Sequence, residues 1–265
     1  MTTAWPPASP IPARITLLTD FGTADGYVGA MHGVIATLAP AAVIHDAGHD
    51  LPRGDIGAAA WALACYWDLH PEGTVHVVVV DPGVGTARRA LAAEADGRRV
   101  VAPDNGCMSY VAVRARRFRV VAISNLRYMR SPVSATFHGR DVFAPAAAYL
   151  ATNGALDDLG PQVSDPVFLP LSQPERTADG ISGAVIHVDR FGNMTTNIPR
   201  HWLEDAANVE VDGRTIGGLR ETYGLVDTGQ PFALIGSAGY LEIAVRDGNA
   251  AEALGVGSGA RIRIR

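Results

Sequence analysis

The sequence predicts an N-terminal α/β domain built on a parallel sheet, followed by a smaller all-β domain with a barrel-like fold. Two observations support this prediction. From residue 15 to residue 153, short apolar β-rich runs alternate with longer runs at helical spacing, which is typical of a parallel sheet covered by helices on both faces. Beyond residue 180, only short β-rich runs separated by glycine turns follow, as in small antiparallel domains.

The elements of the first domain follow from hydrophobic periodicity in chain order. Strands are predicted at 15–19, 43–46, 74–80, 99–102 and 118–123, and helices at 27–38, 56–69, 108–113 and 142–153. The run at 74–80 is almost continuously apolar, which indicates a strand that is buried on both faces.

Between Gly160 and Gly180 the chain carries four prolines and little periodicity, so this stretch is interpreted as a linker. The predicted organisation is an N-terminal extension at 1–14, an α/β domain at 15–163, a linker at 164–180 and a β domain at 181–265. Strands of the β domain are predicted at 183–189, 209–211, 231–235, 240–245 and 260–264.

Composition excludes several classes of protein. The 265 residues carry a net charge of −5 with 48% apolar residues, and no run of basic residues is longer than a pair, so a nucleic-acid partner is not expected. No segment approaches the length of a membrane span, and a cytoplasmic protein is predicted. With only Cys65 and Cys107, a disulfide framework or a cysteine metal cluster is excluded, and both are expected to be small buried residues.

Polar clusters follow the apolar strands, at the sheet edge where ligands of open parallel sheets bind. The first cluster carries Asp20 and Asp25 on either side of a glycine loop that leads into a helix. An acid at this place binds the hydroxyls of a ribose, or it caps the helix. From the residues alone, both interpretations stay open.

The second cluster joins Asp81 at a strand end to Arg88 across a glycine loop. Arg88 either pairs with a functional carboxylate and keeps it ionised, or forms a surface ion pair at a proline-glycine turn. The loop matches neither the dinucleotide fingerprint nor the P-loop pattern, which disfavours a nucleoside triphosphate site.

The third cluster contains His138, followed by Arg140 and Asp141 at the start of an alanine-rich helix. His138 is a structural histidine, or a base or water-orienting group if Asp81 and Arg88 lie near it. Arg140 and Asp141 are open to interpretation as helix caps. A fourth cluster, Ala-Pro-Asp-Asn-Gly at 102–106, has the composition of a turn.

Two clusters stand at strand ends in the β domain. One contains Asp189 and Asn193, and the other contains Ser237. An asparagine amide offers a donor and an acceptor that match an adenine edge, although each segment alone also fits a β-turn.

Taken together, these segments resemble the S-adenosylmethionine hydroxide adenosyltransferase family, the hydrolytic relatives of the fluorinase and chlorinase enzymes. The resemblance runs from residue 15 to the C-terminus and depends on several ordered motifs. They are Thr-Asp-Phe-Gly at 19–22, Asp-Pro-Gly-Val-Gly-Thr at 81–86, Ala-Pro-Asp-Asn-Gly at 102–106, Thr-Phe-His-Gly-Arg-Asp at 136–141, Asp-Arg-Phe-Gly-Asn at 189–193 and Gly-Tyr-Leu-Glu-Ile-Ala at 239–244.

The resemblance implies hydrolysis of S-adenosylmethionine to adenosine and methionine by a homotrimer whose sites lie at subunit interfaces. It implies catalytic roles for Asp81, Arg88 and His138, the trio that distinguishes the water-using branch; halide-using relatives carry a tyrosine where Asp81 stands and lack this histidine. The implied substrate contacts are Asp20 on the ribose hydroxyls, Asp25 and Asp189 beside the methionine ammonium, Asn193 and Tyr223 on the adenine, and Ser237 on the methionine carboxylate.

Elementary chemistry agrees with that division between water and halide. The sulfonium leaving group of S-adenosylmethionine is already charged, so the enzyme has to position a nucleophile in line with the ribose 5′ carbon. Water is a poor nucleophile and gains from a carboxylate or imidazole that accepts its proton. No metal and no cofactor is required.

Other functions are also considered. A halide adenosyltransferase is the nearest alternative, and a non-catalytic adenosine or S-adenosylmethionine binder would use the same contacts. A metal-dependent hydrolase would need Asp20, Asp81, Asp104 and His138 to converge on one ion. Gly236, where an asparagine is expected, and the longer turn at 247–249 depart from the family pattern.

Overall fold

The structure is a computed structural model that describes residues 12–203 and 208–265. The chain divides into two compact units, Met1–Leu169 and Pro170–Arg265. Most of the predicted N-terminal extension, 1–14, lies outside the described residues.

The first unit contains a six-stranded sheet in the order β2-β1-β3-β5-β4-β6. Its strands are β1 (Arg14–Thr19), β2 (Val43–Gly48), β3 (Val75–Val79), β4 (Ala90–Ala95), β5 (Arg98–Pro103) and β6 (Phe118–Ala122). The helices are α1 (Tyr27–Leu38), α2 (Ile56–Tyr66), α3 (Ser109–Arg114) and α4 (Ala144–Ala151). Strands β2, β1, β3 and β5 pair in parallel.

Successive side chains along the central strands point to opposite faces of the sheet and enter two separate cores. On one face Leu17 and Val77 pack with residues of α1 and α4, including Ile35 and Leu150. On the other face Leu18, Val78 and Val80 pack with residues of α2 and α3. Burial of both faces explains the continuous apolar run of β3, and the predicted fold class is confirmed.

Strand β4 was not predicted, and it changes the character of the sheet. It runs antiparallel to both β5 and β6, so the sheet is mixed rather than wholly parallel. Its sequence, ALAAEA, has no β-branched or aromatic residue, and the β-propensity signal is therefore weak. A tight turn at Asp96 and Gly97, both with positive φ, joins β4 to β5.

The second unit is an antiparallel sheet in the order β11-β10-β14-β8-β9-β13-β12, with β7 added beside β8. The strands are β7 (Glu175–Thr177), β8 (Gly180–Val188), β9 (Met194–Pro199), β10 (Val209–Val211), β11 (Arg214–Gly217), β12 (Pro231–Ile235), β13 (Tyr240–Val245) and β14 (Arg261–Ile264), and one short helix, α5, spans Ala250–Leu254. A bridge between Leu219 and Ala233 brings the segment after β11 to β12. The sheet is thus nearly closed, as predicted.

Two further sequence expectations meet the structure here. Within the described residues, no helix combines the length and apolarity needed to cross a bilayer. Cys107 is buried as expected, but Cys65 is exposed; the expectation for Cys65 was wrong because this cysteine lies on the outer side of α2.

Candidate active site

Asp20 and Asp81 follow two neighbouring parallel strands of the first unit. Thr19, the last residue of β1, is in register with Val79, the last residue of β3, so both acids stand at the same edge of the sheet. Their charges both act on the buried thiol of Cys107: burial first, and the two carboxylates in addition, raise the pKa of Cys107 to about 12. The first and second polar clusters therefore lie close together.

Asp20 does not cap helix α1, and that interpretation of the sequence was wrong. The N-cap of α1 is Gly26, and no side chain caps this helix. Instead, one oxygen of the Asp20 carboxylate accepts a hydrogen bond from the Gly54 N–H at 2.8 Å. Asp25 is exposed in the loop between Asp20 and α1.

Asp81 and Arg88 form a bidentate ion pair. Arg88 Nε donates to Asp81 Oδ1 at 2.9 Å, and Arg88 Nη2 donates to Asp81 Oδ2. Only 4% of the Asp81 side chain and 11% of the Arg88 side chain are exposed. This is not a surface ion pair of small value, because bidentate pairs removed from water are strong and hold a fixed geometry.

His138 joins this pair. Arg88 Nη2 also donates to His138 Nδ1 at 2.7 Å. A guanidinium has only donors, so Nδ1 accepts, and the proton of the neutral imidazole is on Nε2. Burial first, and the charge of Arg88 second, lower the pKa of His138 below its ordinary value. The trio predicted to act on water is brought together around one guanidinium.

The backbone that carries His138 is held by a buried carboxylate. His138 precedes a π-helical turn, Gly139–Phe143, which leads into α4. Within this turn Asp141 accepts hydrogen bonds from Arg140 Nε at 2.7 Å, Arg130 Nη1 at 3.0 Å and the Ser134 N–H at 2.9 Å. Asp141 thus ties down the loop before His138, and neither Arg140 nor Asp141 caps α4.

Gly85 sets the spacing between the loop of Arg88 and the loop of His138. Its φ is +77°, and a Cβ at this position would overlap the carbonyl oxygen of Ala135. A side chain here meets both a strained backbone conformation and a clash with backbone. Glycine at 85 is therefore required for the approach that brings Arg88 to His138.

Three aromatic rings connect the first cluster to the third. Phe21, Tyr27 and Phe137 pack edge to face, with ring centroids 5.2 to 5.9 Å apart. Such pairs add to burial through their quadrupoles. The loop of Asp20 and Asp25 is in this way attached to the residue that precedes His138.

The geometry does not favour the metal-dependent alternative. Asp104 accepts from Arg89 Nε at 2.6 Å and from the Val167 N–H at 2.7 Å, and Asp81 is engaged by Arg88. Across residues 12–203 and 208–265, no three or more acidic, histidine or cysteine side chains are grouped so as to hold a metal ion. Asp81 and Asp104 are therefore hydrogen-bonded ion-pair partners of Arg88 and Arg89.

In the second unit, Asp189 and Asn193 close one loop between β8 and β9. Asp189 Oδ1 accepts from the Phe191 and Asn193 N–H groups, each at 2.9 Å, and Asp189 Oδ2 accepts from Asn193 Nδ2 at 3.2 Å. The Asn193 side chain keeps its carbonyl oxygen and one amide hydrogen for another partner. The segment is therefore a β-turn, and within it Asp189 and Asn193 form a polar pair whose geometry is already fixed.

Tyr223 and Glu242 lie beside this loop. Tyr223 O–H donates to Glu242 Oε1 at 2.5 Å, and its ring packs edge to face on Phe232 with centroids 5.6 Å apart. Burial first, and the charge of Asp189 in addition, raise the pKa of Glu242 despite the Tyr223 hydrogen bond. Hence Tyr223 contacts Glu242, and Asp189 is near enough for its charge to act on both.

The departure at Gly236 has a steric explanation. A Cβ at this position would lie 2.5 Å from Glu242 Oε2, so any larger residue displaces the carboxylate that holds Tyr223. Gly236 and Gly239 close the tight turn between β12 and β13 by a hydrogen bond of 2.9 Å, and Ser237 is exposed at the tip of that turn.

Sequence reasoning gave no role to three residues that contact predicted site residues or the turn that carries them. Glu242 lies inside a quoted motif but had no partner until Tyr223 was placed. His49 and Thr19 hydrogen-bond each other at 2.9 Å next to Asp20. The signal for His49 was present, because it follows β2 at the same sheet edge as the other polar clusters.

The fold and the trio define a two-domain α/β and β-barrel protein with a paired carboxylate, guanidinium and imidazole at the edge of its sheet. Models of the SAM hydroxide adenosyltransferase N-terminal domain and C-terminal domain match residues 15–160 and 183–263. The chain belongs to the SAM hydroxide adenosyltransferase family.

Individual relatives agree with this membership. Proteins named (R)-S-adenosyl-L-methionine hydrolase from Salinispora tropica and Thermus thermophilus are 40% and 43% identical, covering 94% of this chain and 97% and 98% of their own lengths. A fluorinase from Actinoplanes sp. is 27% identical over 87% of this chain and 90% of its own. An uncharacterized conserved protein from Thermotoga maritima has a solved structure with a TM-score of 0.88 and 35% identity, covering 94% of this chain and 99% of its own.

Proposed function

We propose that this protein hydrolyses S-adenosyl-L-methionine to adenosine and L-methionine, with water attacking the ribose 5′ carbon as the carbon–sulfur bond breaks. The observation that carries the proposal is that the Arg88 guanidinium donates hydrogen bonds to both Asp81 and His138. Family membership and the hydrolase names of relatives about 40% identical support it.

Asp81 is the proton acceptor in this proposal. Arg88 uses one lone pair on each Asp81 oxygen, and a carboxylate oxygen has a second acceptor site. Neutral His138 has no free acceptor as long as Nδ1 receives the Arg88 hydrogen bond, because its other nitrogen carries the proton. The Nε2–H of His138 instead donates to the oxygen of the attacking water and orients it.

Arg88 fixes the relative position of the two groups. Its fork holds the plane of the Asp81 carboxylate and selects the tautomer of His138, so the water meets an acceptor and a donor at the same time. Positioning of this kind contributes because reaction requires the nucleophile in line with the leaving sulfur. The positive sulfonium leaves as a neutral thioether and needs no acid.

Substrate binding follows the assignments made from the resemblance. The carboxylate of Asp20 accepts from the ribose hydroxyls, the site at which acids of α/β sheets bind a ribose. The other assignments are Asp25 and Asp189 for the methionine ammonium, Asn193 and Tyr223 for the adenine, and Ser237 for the methionine carboxylate. The preformed polar groups of Asn193 and the Glu242-held ring of Tyr223 support the adenine assignments.

We also propose a homotrimer with each active site at a subunit interface. The support is that candidate contacts for one substrate come from both units of the chain, so one site needs both. Light scattering of the purified protein should give three times the monomer mass, and a fully active monomer would contradict this assembly. The cytoplasmic location stays a prediction.

The experiment that tests the function is incubation of the purified protein with S-adenosylmethionine, with and without chloride, followed by chromatography. Adenosine and methionine in equal amounts are expected in both cases. Chlorinated nucleoside would support a halide adenosyltransferase, and binding without product would support a non-catalytic binder. In water labelled with ¹⁸O, the label should enter the 5′ hydroxyl of adenosine, and unlabelled adenosine would contradict attack at that carbon.

A further inference from the structure

We propose that His49 is a positioning residue for the nucleoside half of the site: through the hydroxyl of Thr19 it holds the turn that carries Asp20. This inference rests on the proposed function, because it takes Asp20 as the ribose-binding acid. Neither His49 nor Thr19 touches the substrate in the proposal, and both are buried, with relative exposures of 6% and 0%.

The contacts of His49 reach both ends of the Thr19–Gly22 turn. His49 Nδ1 lies 2.9 Å from Thr19 Oγ1, and Thr19 Oγ1 accepts from the Phe21 N–H at 3.2 Å. The carbonyl oxygen of His49 accepts from the Gly22 N–H at 2.8 Å. Asp20 lies between these attachments.

The charge of Asp46, on the other side of the His49 ring, favours one direction for the His49–Thr19 hydrogen bond. Asp46 Oδ1 accepts a hydrogen bond from His32 Nε2 at 2.8 Å, and it lies 3.0 Å from His49 Nε2 without meeting hydrogen-bond geometry there. A lone pair on Nε2 would face this negative charge, so the tautomer with the proton on Nε2 is favoured, and Nδ1 then accepts from the Thr19 hydroxyl. With its hydrogen directed to His49, Thr19 Oγ1 presents a lone pair to Phe21.

Asp46 is suited to orient the imidazole. Partial burial raises its pKa, but the interactions with His32 and His49 outweigh that effect and lower the pKa below its ordinary value. A carboxylate beside one imidazole nitrogen favours the tautomer with the proton on that nitrogen. A series of contacts thus runs from His32 in α1 through Asp46, His49 and Thr19 to the backbone of the Asp20 turn.

The same strand contains a matched control. Thr16 Oγ1 and His76 Nδ1 form another buried threonine–histidine pair at 2.9 Å, and both residues have an exposure of 0%. Thr16 lies inside β1, three residues before Thr19, and its hydroxyl also contacts Tyr66 O–H at 3.3 Å. Loss of this hydroxyl removes a comparable hydrogen bond without touching the Asp20 turn.

The experiment compares Thr19→Val with Thr16→Val in the full-length protein. Adenosine affinity is measured by calorimetry, KM and kcat by product chromatography, and folding by the unfolding midpoint. We expect Thr19→Val to weaken adenosine binding and raise KM about 5- to 30-fold, the range for about 1–2 kcal/mol, with a smaller change in kcat. Thr16→Val should lower the unfolding midpoint while adenosine affinity stays within about twofold.

Conservative variants separate positioning from packing. In His49→Asn, the amide oxygen takes the place of Nδ1 and still accepts from Thr19, so adenosine affinity should be largely retained. In His49→Gln, the amide reaches the place of Nε2 and leaves the Thr19 hydroxyl without its partner, so affinity should fall as in Thr19→Val. If Thr19→Val does not fold, the His49→Asn and His49→Gln pair decides on the same criterion.

Asp20→Ala distinguishes a failure of the His49 positioning role from a failure of the ribose assignment in the proposed function. If Asp20→Ala weakens adenosine binding but Thr19→Val and His49→Gln behave like Thr16→Val, the positioning role is wrong and the proposed function stands. If Asp20→Ala leaves adenosine affinity unchanged, both the ribose assignment and the role of His49 are overturned. Equal losses for Thr19→Val and Thr16→Val would show a general packing effect and overturn the inference.

Discussion

Arg88 Nη2 donates to His138 Nδ1 at 2.7 Å, and the same guanidinium donates to both oxygens of Asp81. One side chain therefore determines which nitrogen of the histidine carries a proton and how the carboxylate is turned. The two groups that face the water in the proposed reaction are consequently not independent. The predictions for their variants follow from this dependence.

The first prediction concerns the two groups that meet the water. Asp81→Asn removes the proton acceptor but keeps the shape, and kcat should fall roughly 10²–10⁴-fold, the usual range for general acid–base groups. His138→Ala should also lower kcat in this range, whereas His138→Gln, whose amide keeps a donor near the place of Nε2, should retain more activity. Adenosine affinity should change little, because neither residue is assigned a nucleoside contact. Near-normal turnover in both Asp81→Asn and His138→Ala would remove them from the reaction.

The second prediction tests whether Arg88 acts with Asp81 as one unit. Arg88→Ala frees the carboxylate and the imidazole together, so kcat should fall. The Asp81→Asn/Arg88→Ala double variant should be little slower than the worse single variant, because residues that act as a unit give non-additive losses. Single-turnover rates of the four proteins measure this. Rate losses that multiply would show that the two residues act separately.

The third prediction concerns the ribose. Asp20→Ala should weaken adenosine and S-adenosylmethionine binding together, by about 1.5–3 kcal/mol, the typical contribution of a hydrogen bond to a charged group. Because Asp20 also accepts from Gly54, Asp20→Asn is the matched control that keeps an acceptor for this backbone group. Calorimetry with adenosine and with its 2′,3′-dideoxy analogue checks the assignment. The wild type should bind adenosine more tightly than the dideoxy analogue, and Asp20→Ala should lose most of this difference. If the ratio of the two affinities is the same in both proteins, the ribose contact lies elsewhere.

The fourth prediction concerns the pH dependence of the reaction. In the proposed reaction the active form has neutral His138, and burial together with Arg88 lowers the pKa of His138 below the ordinary value of 6.5. Activity due to His138 should therefore persist below pH 6.5 and fall only as the pH drops through the lowered pKa. A pH profile of kcat checks this, with His138→Gln as the protein in which this acid limb should be missing. A limb at or above pH 6.5 would contradict the geometry.

The fifth prediction concerns stability. Burial first, then the charges of His70 and Arg98, lower the pKa of His76 from 6.5 to about 3. Between these values the unfolded chain binds a proton that the folded chain does not. The free energy of unfolding should hence fall with decreasing pH, by up to about 1.4 kcal/mol per pH unit from this one group. Urea unfolding at pH 7 and pH 5 should show a smaller difference in His76→Asn than in the wild type; an equal difference would contradict the assignment.

Much of the fold could be predicted because periodic apolar patterns are local signals. Helix α1 has the predicted bounds, Tyr27–Leu38, and so do strands β10, β12 and β13. The misses have physical causes. Strand β4 is rich in alanine, and β9 (Met194–Pro199) contains polar residues, Thr195, Thr196 and Asn197, that are buried by tertiary packing, which sequence patterns do not show.

The candidate site was predictable as far as strand ends could be recognised. Asp81 and His138 are far apart in the sequence, and the family resemblance, more than any local pattern, implied that they meet. What the sequence could not provide is direction: the tautomer of His138 depends on Arg88 Nη2, and the orientation of Tyr223 depends on Glu242. Both are long-range contacts between side chains, and no periodicity encodes them.

Gly85 has a consequence for mutational tolerance. The loop of Arg88 meets the backbone at Ala135 with room for nothing larger than a hydrogen atom, although Gly85 contacts no substrate group in the proposal. Saturation mutagenesis selected for activity should accept only glycine at position 85, as strictly as it accepts aspartate at position 81. The allowed residue at position 85 is set by the distance between two backbones, so a residue with no proposed chemical role is as constrained as the acid proposed to accept the proton.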